Sequence, residues 1–258
     1  MAPTLDEDLA LAHQLADAAD AITLSRFRAA DLVVETKPDM TPVSEADHLV
    51  EETIRAALAE ARPDDAVVAE EFPDTDGASG RDWIVDPIDG TKGYVRGIPV
   101  YATLIALRTD GDLVLGLASA PALGRRWWAR RGGGAFRDGE PIRVSGIAAI
   151  EDAHLTYDSV AAFDAAGLTD EFLALTRRCW RSRGFGDFWQ YALVAEGAVD
   201  VAIEPAGLAV WDLAPLLVLV EEAGGRFTDL DGEARADNGS AVATNGLLHD
   251  AVLAAMRA

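Results

Sequence analysis

The spacing of apolar side chains divides the chain into a first part, two helices followed by strands, and a second part in which helices and strands alternate. Apolar residues recur every three or four positions over residues 5–28 and again over 44–61, which predicts two amphipathic helices. Short apolar runs after them predict strands. The predicted strands cover residues 67–69, 83–85, 100–107, 113–119, 127–129 and 135–137.

The second part, from about residue 150, has the alternating pattern that is typical of α/β units. Predicted helices over 170–180, 187–197 and 212–223 separate predicted strands over 199–203, 226–228 and 241–244. Antiparallel strands followed by this alternation predict an α/β fold whose two halves share a cleft. We place the boundary near residues 146–152, which gives an N-terminal half of residues 1–148 and a C-terminal half of residues 149–258.

Local signals predict where several elements begin and end. Thr4 and Glu7 have the spacing of a capping box, which predicts the start of the first helix. The two prolines within residues 36–42 exclude a helix there, so we expect an exposed loop. Pro87 has no amide hydrogen, so we expect it to end the pairing of the strand before it.

Length and composition describe a folded chain without a membrane span. The chain has 258 residues, of which half are apolar and 26% are charged, and this balance excludes general disorder. The longest apolar run, residues 213–220, contains Pro215 and is much shorter than the roughly 20 residues of a membrane helix. The single cysteine, Cys179, cannot form a disulfide within the chain, and the first residues are acidic, unlike a secretory signal. We therefore expect a cytoplasmic protein without a membrane partner.

The net charge is strongly negative. The 44 acidic residues exceed the 22 basic residues, so the formal net charge is −22 at pH 7. The electrostatic field of this negative charge repels nucleic acids and anionic membranes, so neither is an expected partner. The same field repels an anionic substrate unless bound cations first neutralise the acids around it.

The most informative segment is 86–91, Asp-Pro-Ile-Asp-Gly-Thr, which follows the hydrophobic strand at 83–85. Two carboxylates three residues apart on a turn can share divalent cations, and oxygen ligands suit Mg²⁺ or Mn²⁺. If Gly90 and Thr91 begin a helical turn, their amides offer an anion site beside those cations. Taken alone, the segment could also be an acid-rich turn with a helix cap.

Further candidate side chains each have a plain structural explanation as well. Glu70 stands with Glu71 at the end of a predicted strand, and strand ends converge on a cleft in layered α/β folds. Asp212 could be the N-cap of a late helix, and Asp47 could be the acidic member of a second capping box. Lys37 could be a solvated surface lysine.

Three separate segments resemble the inositol monophosphatase superfamily in order and separation, over nearly the whole chain. They are Glu70-Glu71, the segment 86–91, and Trp211-Asp212 followed by residues 223–225. Shorter segments at 37–39, 41–43, 125–129 and 186–188 resemble the actinobacterial-type histidinol-phosphate phosphatases of that superfamily. The resemblance implies an αβαβα sandwich with an antiparallel N-terminal sheet and a smaller, alternating C-terminal sheet.

The resemblance also implies a homodimeric, Mg²⁺-dependent phosphomonoesterase with two or three bound ions, for which Mn²⁺ could substitute. Its implied substrate is L-histidinol phosphate, whose hydrolysis to L-histidinol and phosphate belongs to histidine biosynthesis. Phosphoryl transfer needs chiefly positioning and charge neutralisation, so paired cations suffice and no covalent nucleophile is required.

The resemblance implies roles for single residues, and most of the implied metal ligands lie in the N-terminal half. The implied metal ligands are four carboxylates and one carbonyl oxygen, from Glu70, Asp86, Ile88, Asp89 and Asp212. Gly90 and Thr91 are implied to receive the phosphate, and Asp89 and Asp212 are also implied to bind the substrate. Glu70 and Asp47 would help to place a weaker third ion, and Thr91 with Asp47 would orient the attacking water. Lys37 would lie on a mobile flap that closes over the ions.

Arg183, Asp187 and Glu204 are candidates for binding the alcohol half of the substrate, because they lie at the edges of C-terminal elements that should face the cleft. Histidinol phosphate carries an ammonium group and an imidazole, which carboxylates would favour, whereas an inositol needs partners for its hydroxyls. Asp187 therefore favours an amino-alcohol phosphate, although it could equally be the N-cap of a helix that begins near Phe188.

Other functions compete with this hypothesis. An inositol-1-monophosphatase, or a phosphatase of broad specificity for sugars or nucleotides, would belong to the same superfamily. A haloacid-dehalogenase-like phosphatase needs an Asp-x-Asp motif, but here the acids Asp86 and Asp89 are three residues apart. A catalytically silent metal-binding scaffold would not need a bridging acid.

The arginines around Trp127 and Trp128 form a combination that could bind single-stranded nucleic acid. The net charge opposes that function, so we expect these tryptophans at a subunit interface instead. The four histidines are scattered without the spacing of a zinc site, so zinc is not an expected cofactor.

Overall fold

The computed structural model describes residues 3–38 and 40–257, which stack in five layers: helices, sheet, helices, sheet, helices. The helices are α1 Leu5–Arg26, α2 Glu45–Ala61, α3 Thr91–Tyr94, α4 Val160–Ala165, α5 Thr169–Arg178, α6 Asp187–Ala195, α7 Val210–Glu222 and α8 His249–Met256. The strands are β1 Val34–Thr36, β2 Pro42–Ser44, β3 Ala66–Ala69, β4 Arg81–Asp89, β5 Ala102–Thr109, β6 Asp112–Ala120, β7 Arg125–Arg130, β8 Gly134–Arg137, β9 Glu140–Ile142, β10 His154–Tyr157, β11 Arg181–Gly184, β12 Val201–Glu204, β13 Arg226–Thr228 and β14 Ala241–Thr244. None of the helices in these residues is long and apolar enough to cross a membrane.

The strands form two large sheets and one small hairpin. The larger sheet has the order β3-β4-β5-β6-β7-β8-β9, and its pairs are antiparallel except for β3 with β4. The smaller sheet has the order β11-β10-β12-β14-β13, in which β10 is parallel to both neighbours and the other pairs are antiparallel. The predicted combination of a mainly antiparallel N-terminal sheet with a smaller C-terminal sheet is thus confirmed.

Apolar side chains fill the spaces between the layers. Helices α1 and α2 cover one face of the larger sheet, where Leu15 and Ile54 pack in a cluster with Trp83. Helices α6 and α7 lie between the sheets, and their Phe188 and Leu216 belong to one buried cluster with residues of both sheets. Helices α5 and α8 cover the other face of the smaller sheet. Because the central cluster joins residues from both sides of the proposed boundary at residue 148, the division into two halves stays a prediction.

The proline-containing stretch after α1, predicted as an exposed loop, is the turn of a small hairpin. Strands β1 and β2 pair antiparallel, and the Lys37 N–H donates to the Thr41 carbonyl at 2.8 Å across the turn. Pro42 begins β2, a position in which a strand needs no amide donor. Asp39, which belongs to the quoted segment 37–39, lies outside the described residues.

Pro87 does not end its strand, contrary to expectation. Strand β4 continues to Asp89, and its register with β5 shifts between Asp86 and Asp89. A residue inside such a bulge needs no ladder partner, so the missing amide of Pro87 costs nothing there. Its carbonyl still accepts a hydrogen bond from the Thr103 hydroxyl at 2.8 Å.

Trp127 of β7 is buried within the subunit, so the expectation that it lies at a subunit interface is wrong, whereas for the half-buried Trp128 that expectation stays a prediction. Trp127 is buried in the central cluster, and its indole N–H donates to Glu196 Oε1 at 2.5 Å. Trp128 packs on the opposite face, against His13 and Phe136. Successive side chains of a strand point to opposite faces of the sheet. Strand β7 therefore contributes one tryptophan to the cluster on each face of the larger sheet.

The contact between β6 and α7 depends on a glycine. A Cβ atom at Gly116 would lie 2.1 Å from the carbonyl oxygen of Pro215, far inside van der Waals contact. We expect Gly116→Ala to push α7 away from the larger sheet and to lower the free energy of unfolding by about 3 kcal/mol, as measured by urea unfolding. Gly146→Ala is the matched control, because its Cβ would meet nothing within 4 Å. Equal stability of the two variants would contradict this account of the interface.

Candidate active site

Three carboxylates meet where strand β4 ends beside the first turn of α7. Asp86, Asp89 and Asp212 each offer an oxygen atom, and these atoms lie within 4.8 Å of one another. Asp86 is 2% exposed, and its Oδ1 has no hydrogen-bond partner among the described residues. A buried carboxylate oxygen without a partner costs free energy until a cation or a proton binds it. The acids therefore fit a divalent metal ion with oxygen ligands.

Asp212 is oriented by the helix that carries it. It is in the first turn of α7, and its Oδ2 accepts the backbone N–H of Ala209 at 2.6 Å. The explanation of Asp212 as the N-cap is wrong, because Ala209 occupies the cap position. The N–H groups at a helix start favour a nearby negative charge, so this bond both orients the carboxylate and stabilises its charged form.

Helix α6 orients Asp89 in the same way. The backbone N–H of Phe188 donates to Asp89 Oδ2 at 2.6 Å. Asp187 is the first residue of α6 and Gly186 occupies the cap position, so Asp187 is not the N-cap. Asp187 has a φ of +47°, a left-handed conformation that is unfavourable for a residue other than glycine. Backbone strain of this kind is commonest at functional sites. Here the strained residue is Asp187, whose own carboxylate lies beside Gly90.

Asp47 forms the capping box considered for it in the sequence and also contacts Thr91. Its Oδ2 accepts the N–H and the hydroxyl of Ser44, at 2.8 and 2.6 Å, and so forms the capping box of α2. Its Oδ1 lies 3.3 Å from the hydroxyl of Thr91, which donates at 2.7 Å to the Ile88 carbonyl. The start of α2 is thereby joined to the segment that carries Asp86 and Asp89.

Glu70 reaches the same place from the end of β3. It lines the cavity with the three aspartates, and its charge contributes to the raised pKa of Asp86. The ammonium of Lys37 lies 2.6 Å from Glu70 Oε1 and 2.7 Å from Glu71 Oε1. Lys37 is thus an ion-pair partner of two acids and not a solvated surface lysine.

The pKa values of the clustered acids are raised. Burial, followed by the charges of neighbouring carboxylates, holds the pKa values of Asp86 and Asp89 well above their usual range. Burial raises the pKa of Asp212 to about 6, against the lowering effect of the hydrogen bond from Ala209. Each acid is therefore unfavourable in its charged form as long as no cation balances the cluster.

The cluster opens into a cavity of about 310 Å³ that also holds a second group of carboxylates. These are Asp158, Asp187 and Glu204, which we call the second acid group. Burial, followed by the charge of Asp158, raises the pKa of Asp187 to about 6 and that of Glu204 to about 8. Glu204 Oε2 accepts from the Gln190 amide at 2.7 Å and from the Tyr191 hydroxyl at 3.2 Å. The cavity therefore presents negative charge to whatever part of a ligand lies beside this group.

Asp158 is a cavity residue that the sequence analysis missed. It follows the carboxyl end of β10, which is parallel to both of its neighbours, and ligands of α/β sheets bind at such ends. That position is the signal that could have found it, but β10 was not predicted. Gly186 allows its approach, because a Cβ there would lie 2.4 Å from Asp158 Oδ1. Lys92 and Tyr191 also line the cavity without having been predicted.

Arg183 is the one predicted site residue that the structure does not bring to this cavity. It lies on β11, the edge strand of the smaller sheet, and is exposed to solvent. The other predicted residues either line the cavity or, like Asp47 and Lys37, bond to residues that do.

The whole described fold matches one protein family. Residues 4–258 match the model of the inositol monophosphatase family. The chain belongs to this family. It is therefore an enzyme of the phosphatase class that acts on small phosphate esters. The family is metal-dependent, and the cluster of Asp86, Asp89 and Asp212 could bind metal.

Relatives with known names agree with this membership. The histidinol-phosphatase of Mycobacterium tuberculosis is 53% identical over 257 residues, which cover 98% of each chain. The histidinol-phosphatase of Streptomyces coelicolor is 53% identical over 260 residues, which cover 97% of each chain. The inositol-1-monophosphatase of Mesorhizobium japonicum is 36% identical over 234 residues, which cover 88% of this chain and 87% of that protein.

Solved structures show the same fold. The extragenic suppressor protein suhB of Bartonella henselae superposes with a TM-score of 0.90, at 30% identity and with 97% of this chain and 98% of that chain covered. The IMPase of Thermotoga maritima superposes with a TM-score of 0.87, at 31% identity and with 98% and 97% covered. The predicted inositol-monophosphatase-like sandwich is confirmed.

The raised pKa values of the buried acids predict how stability depends on pH when divalent cations are absent. Carboxyl groups of unfolded chains titrate near pH 4, whereas Asp212 and Glu204 titrate at about 6 and about 8 in the folded protein. Between these values the folded protein binds more protons than the unfolded chain, so its stability falls as the pH rises.

We expect the free energy of unfolding in EDTA to fall by a few kcal/mol between about pH 5 and pH 8, because each unit of pKa difference is worth about 1.4 kcal/mol. Urea unfolding across this range measures the change. Asp212→Asn should flatten the dependence, and saturating Mg²⁺ should restore stability at pH 8. A stability that rises over this range, or an unchanged slope in Asp212→Asn, would contradict the repulsion described above.

Proposed function

We propose that the protein is a Mg²⁺-dependent histidinol-phosphatase, which hydrolyses L-histidinol phosphate to L-histidinol and phosphate in histidine biosynthesis. The observation that carries this proposal is the second acid group, which stands in one cavity with the acids suited to a metal. A phosphate ester with a cationic alcohol half fits such a cavity at both of its ends. Relatives named histidinol-phosphatase at 53% identity support the same substrate.

In this proposal the ligands of the divalent ions are acids from three parts of the chain and one carbonyl. One ion would be held by Glu70, Asp86 and the Ile88 carbonyl, and a second by Asp86, Asp89 and Asp212. Bound there, Mg²⁺ or Mn²⁺ would neutralise the phosphate dianion, lower the pKa of water and stabilise the leaving alkoxide. Glu70 and Asp47 would help to hold a weaker third ion.

In this proposal Thr91 and Asp47 orient the attacking water, and the contact between them supports this role. In the structure the Thr91 hydroxyl donates to the Ile88 carbonyl at 2.7 Å, and Asp47 Oδ1 is its second acceptor at 3.3 Å. If the Ile88 carbonyl bound an ion, the Thr91 hydroxyl could donate to Asp47 instead. The oxygen of Thr91 then has a lone pair free to accept a hydrogen of water and to fix its direction of attack.

The phosphate is received at the turn that follows β4. Gly90 has a φ of +85°, and a Cβ there would lie 3.1 Å from the Val100 carbonyl and 3.3 Å from Asp187 Oδ2. A glycine is therefore needed for the chain to turn in this tight space. The N–H groups of Gly90 and Thr91 are then available to a phosphate oxygen, beside the ligands Asp89 and Asp212.

The alcohol half of the substrate is placed against the second acid group. Histidinol carries an ammonium group, and a cation beside this group of acids would stabilise the charged forms of Asp187 and Glu204, which burial disfavours. A neutral inositol gives no such compensation. This difference favours an amino-alcohol phosphate over an inositol phosphate, and Arg183, outside the cavity, is left without a role in binding the alcohol.

Homodimerisation and a cytoplasmic location complete the proposal. Both rest on the resemblance to the family and on the composition of the chain, with its single cysteine. Sedimentation of the purified protein tests the first, and fractionation of cells tests the second.

Removal of a proposed metal ligand tests the metal assignment. We expect Asp89→Asn to lower turnover of histidinol phosphate by more than about a hundredfold, since loss even of groups that only support a ligand can cost that much. Phosphate release, titrated with Mg²⁺, measures this. The protein should still fold, because the change removes one charge from a repulsive cluster. Asp74→Asn, an exposed acid on the surface, is the control. Normal turnover in Asp89→Asn would refute the assignment.

Changes in the second acid group test the substrate. We expect Asp158→Asn and Asp187→Ala each to raise KM for histidinol phosphate by about tenfold, because each removes a charge-assisted contact to the ammonium group. KM for glycerol 2-phosphate, whose alcohol is neutral, should change much less. Equal effects on both substrates would remove these acids from the specificity site. Faster turnover of inositol 1-phosphate than of histidinol phosphate by the unmodified enzyme would reject the proposed substrate.

A further inference from the structure

The ammonium of Lys37 is shared by two neighbouring acids that face different surroundings. It lies 2.6 Å from Glu70 Oε1 and 2.7 Å from Glu71 Oε1. Glu70 lines the cavity and its side chain is 24% exposed, whereas the Glu71 side chain is 4% exposed and is not part of the cavity wall. The ion pair with Glu70 therefore engages an acid of the cavity wall, whereas the ion pair with Glu71 lies outside that wall.

The position of Glu71 is set by a second, fully buried acid. The carboxylate of Glu51 accepts the backbone N–H groups of Glu71 and Phe72, at 2.8 and 3.1 Å. Arg55 closes this arrangement, since its Nε donates to Glu51 at 2.7 Å and its guanidinium also donates to the Phe72 carbonyl at 3.0 Å. The backbone from which the Glu71 side chain extends is thus held on helix α2, whether or not Lys37 is bound.

Lys37 lies in the turn of the hairpin of β1 and β2, which borders the cavity. Its backbone N–H donates to the Thr41 carbonyl at 2.8 Å, and Thr41 and Pro42 line the cavity. Contacts made by the Lys37 side chain therefore link this hairpin to the two acids that follow β3. The pair with Glu71 can persist when Glu70 is engaged elsewhere.

We infer that Glu71 is a positioning residue that holds the Lys37 ammonium when Glu70 turns to a divalent cation. The inference rests on the proposed function, in which Glu70 is a metal ligand. An ammonium group and a divalent ion compete for the same Glu70 oxygen. Separating the ammonium from Glu70 costs free energy unless another carboxylate stays paired with it. Glu71 is already in contact, so Glu70 becomes available while Lys37 and its hairpin stay in place.

A plain electrostatic role for Glu71 makes a different prediction. If Glu71 only added one more negative charge near the ion, its removal would weaken metal binding to the same extent whether Lys37 is present or not. If Glu71 instead relieves the competition from Lys37, its removal weakens metal binding only while Lys37 is there. A double-mutant cycle separates these two cases.

The experiment measures Mn²⁺ binding to the full-length protein by calorimetry, without substrate. The site that depends on Glu70 is identified by its loss in Glu70→Gln. We expect Glu71→Gln to weaken Mn²⁺ binding at this site by about three- to tenfold, a coupling of ordinary size for neighbouring charged groups. In the Lys37→Met background the same change should alter binding by less than about twofold. Lys37→Met alone should strengthen it.

Glu52→Gln is the matched control, since it removes an exposed acid from α2 that does not line the cavity. It should leave Mn²⁺ binding within about twofold in both backgrounds. His48, whose Nε2 lies 4.0 Å from Glu71 Oε2, is kept unchanged in all variants so that its effect cancels. If Glu71→Gln does not fold, Glu71→Asp, which keeps the charge but withdraws it by one methylene, supplies the same cycle.

Equal weakening by Glu71→Gln in the Lys37 and Met backgrounds would overturn the inference. So would unchanged binding in Glu71→Gln itself. In both of these cases the unmodified enzyme would still bind Mn²⁺ and hydrolyse histidinol phosphate, so the proposed function would stand. Failure of the unmodified enzyme to bind any divalent ion would instead reject the proposed function.

Discussion

The mutual repulsion of carboxylates held together in a buried place is the constraint on which the rest of this structure depends. Asp86, Asp89 and Asp212 bring oxygen atoms within 4.8 Å of one another at the edge of the core. In water such acids would separate, so the apolar layers must supply the free energy that keeps them together. The same repulsion would favour the binding of divalent cations to the cluster, and such cations would help a chain of net charge −22 to attract a phosphate.

The central helices partly offset this repulsion before any ion binds. The first turns of α6 and α7 direct the N–H groups of Phe188 and Ala209 at Asp89 and Asp212. The helices can do so because they are fixed between the two sheets, where Gly116 lets α7 approach β6 closely. The orientation of the acids therefore depends on the packing of the core, because a shift of α7 would move Asp212 relative to Asp86.

Much of the fold could be predicted because its long elements follow local rules. Thr4 and Glu7 form the predicted capping box of α1, and α2, Glu45–Ala61, lies where the pattern over 44–61 places it. The elements that were missed are β1, β2, β9, β10, β11, α4 and α8, which are short. Strand β11, Arg-Ser-Arg-Gly, has no apolar pattern at all, because it is an edge strand formed by pairing with β10.

The sequence by itself determined the layered fold, the family and the acid-rich segment 86–91, since these depend on periodicity, spacing and local turn chemistry. Tertiary structure alone decided that Pro87 lies in a bulge, that Trp127 is a core residue, that Asp158 joins Asp187 and Glu204, and that Glu71 shares Lys37 with Glu70. The physical reason is that these contacts join residues far apart in the chain or on different elements. Their energies depend on how the layers pack, and no local pattern records that packing.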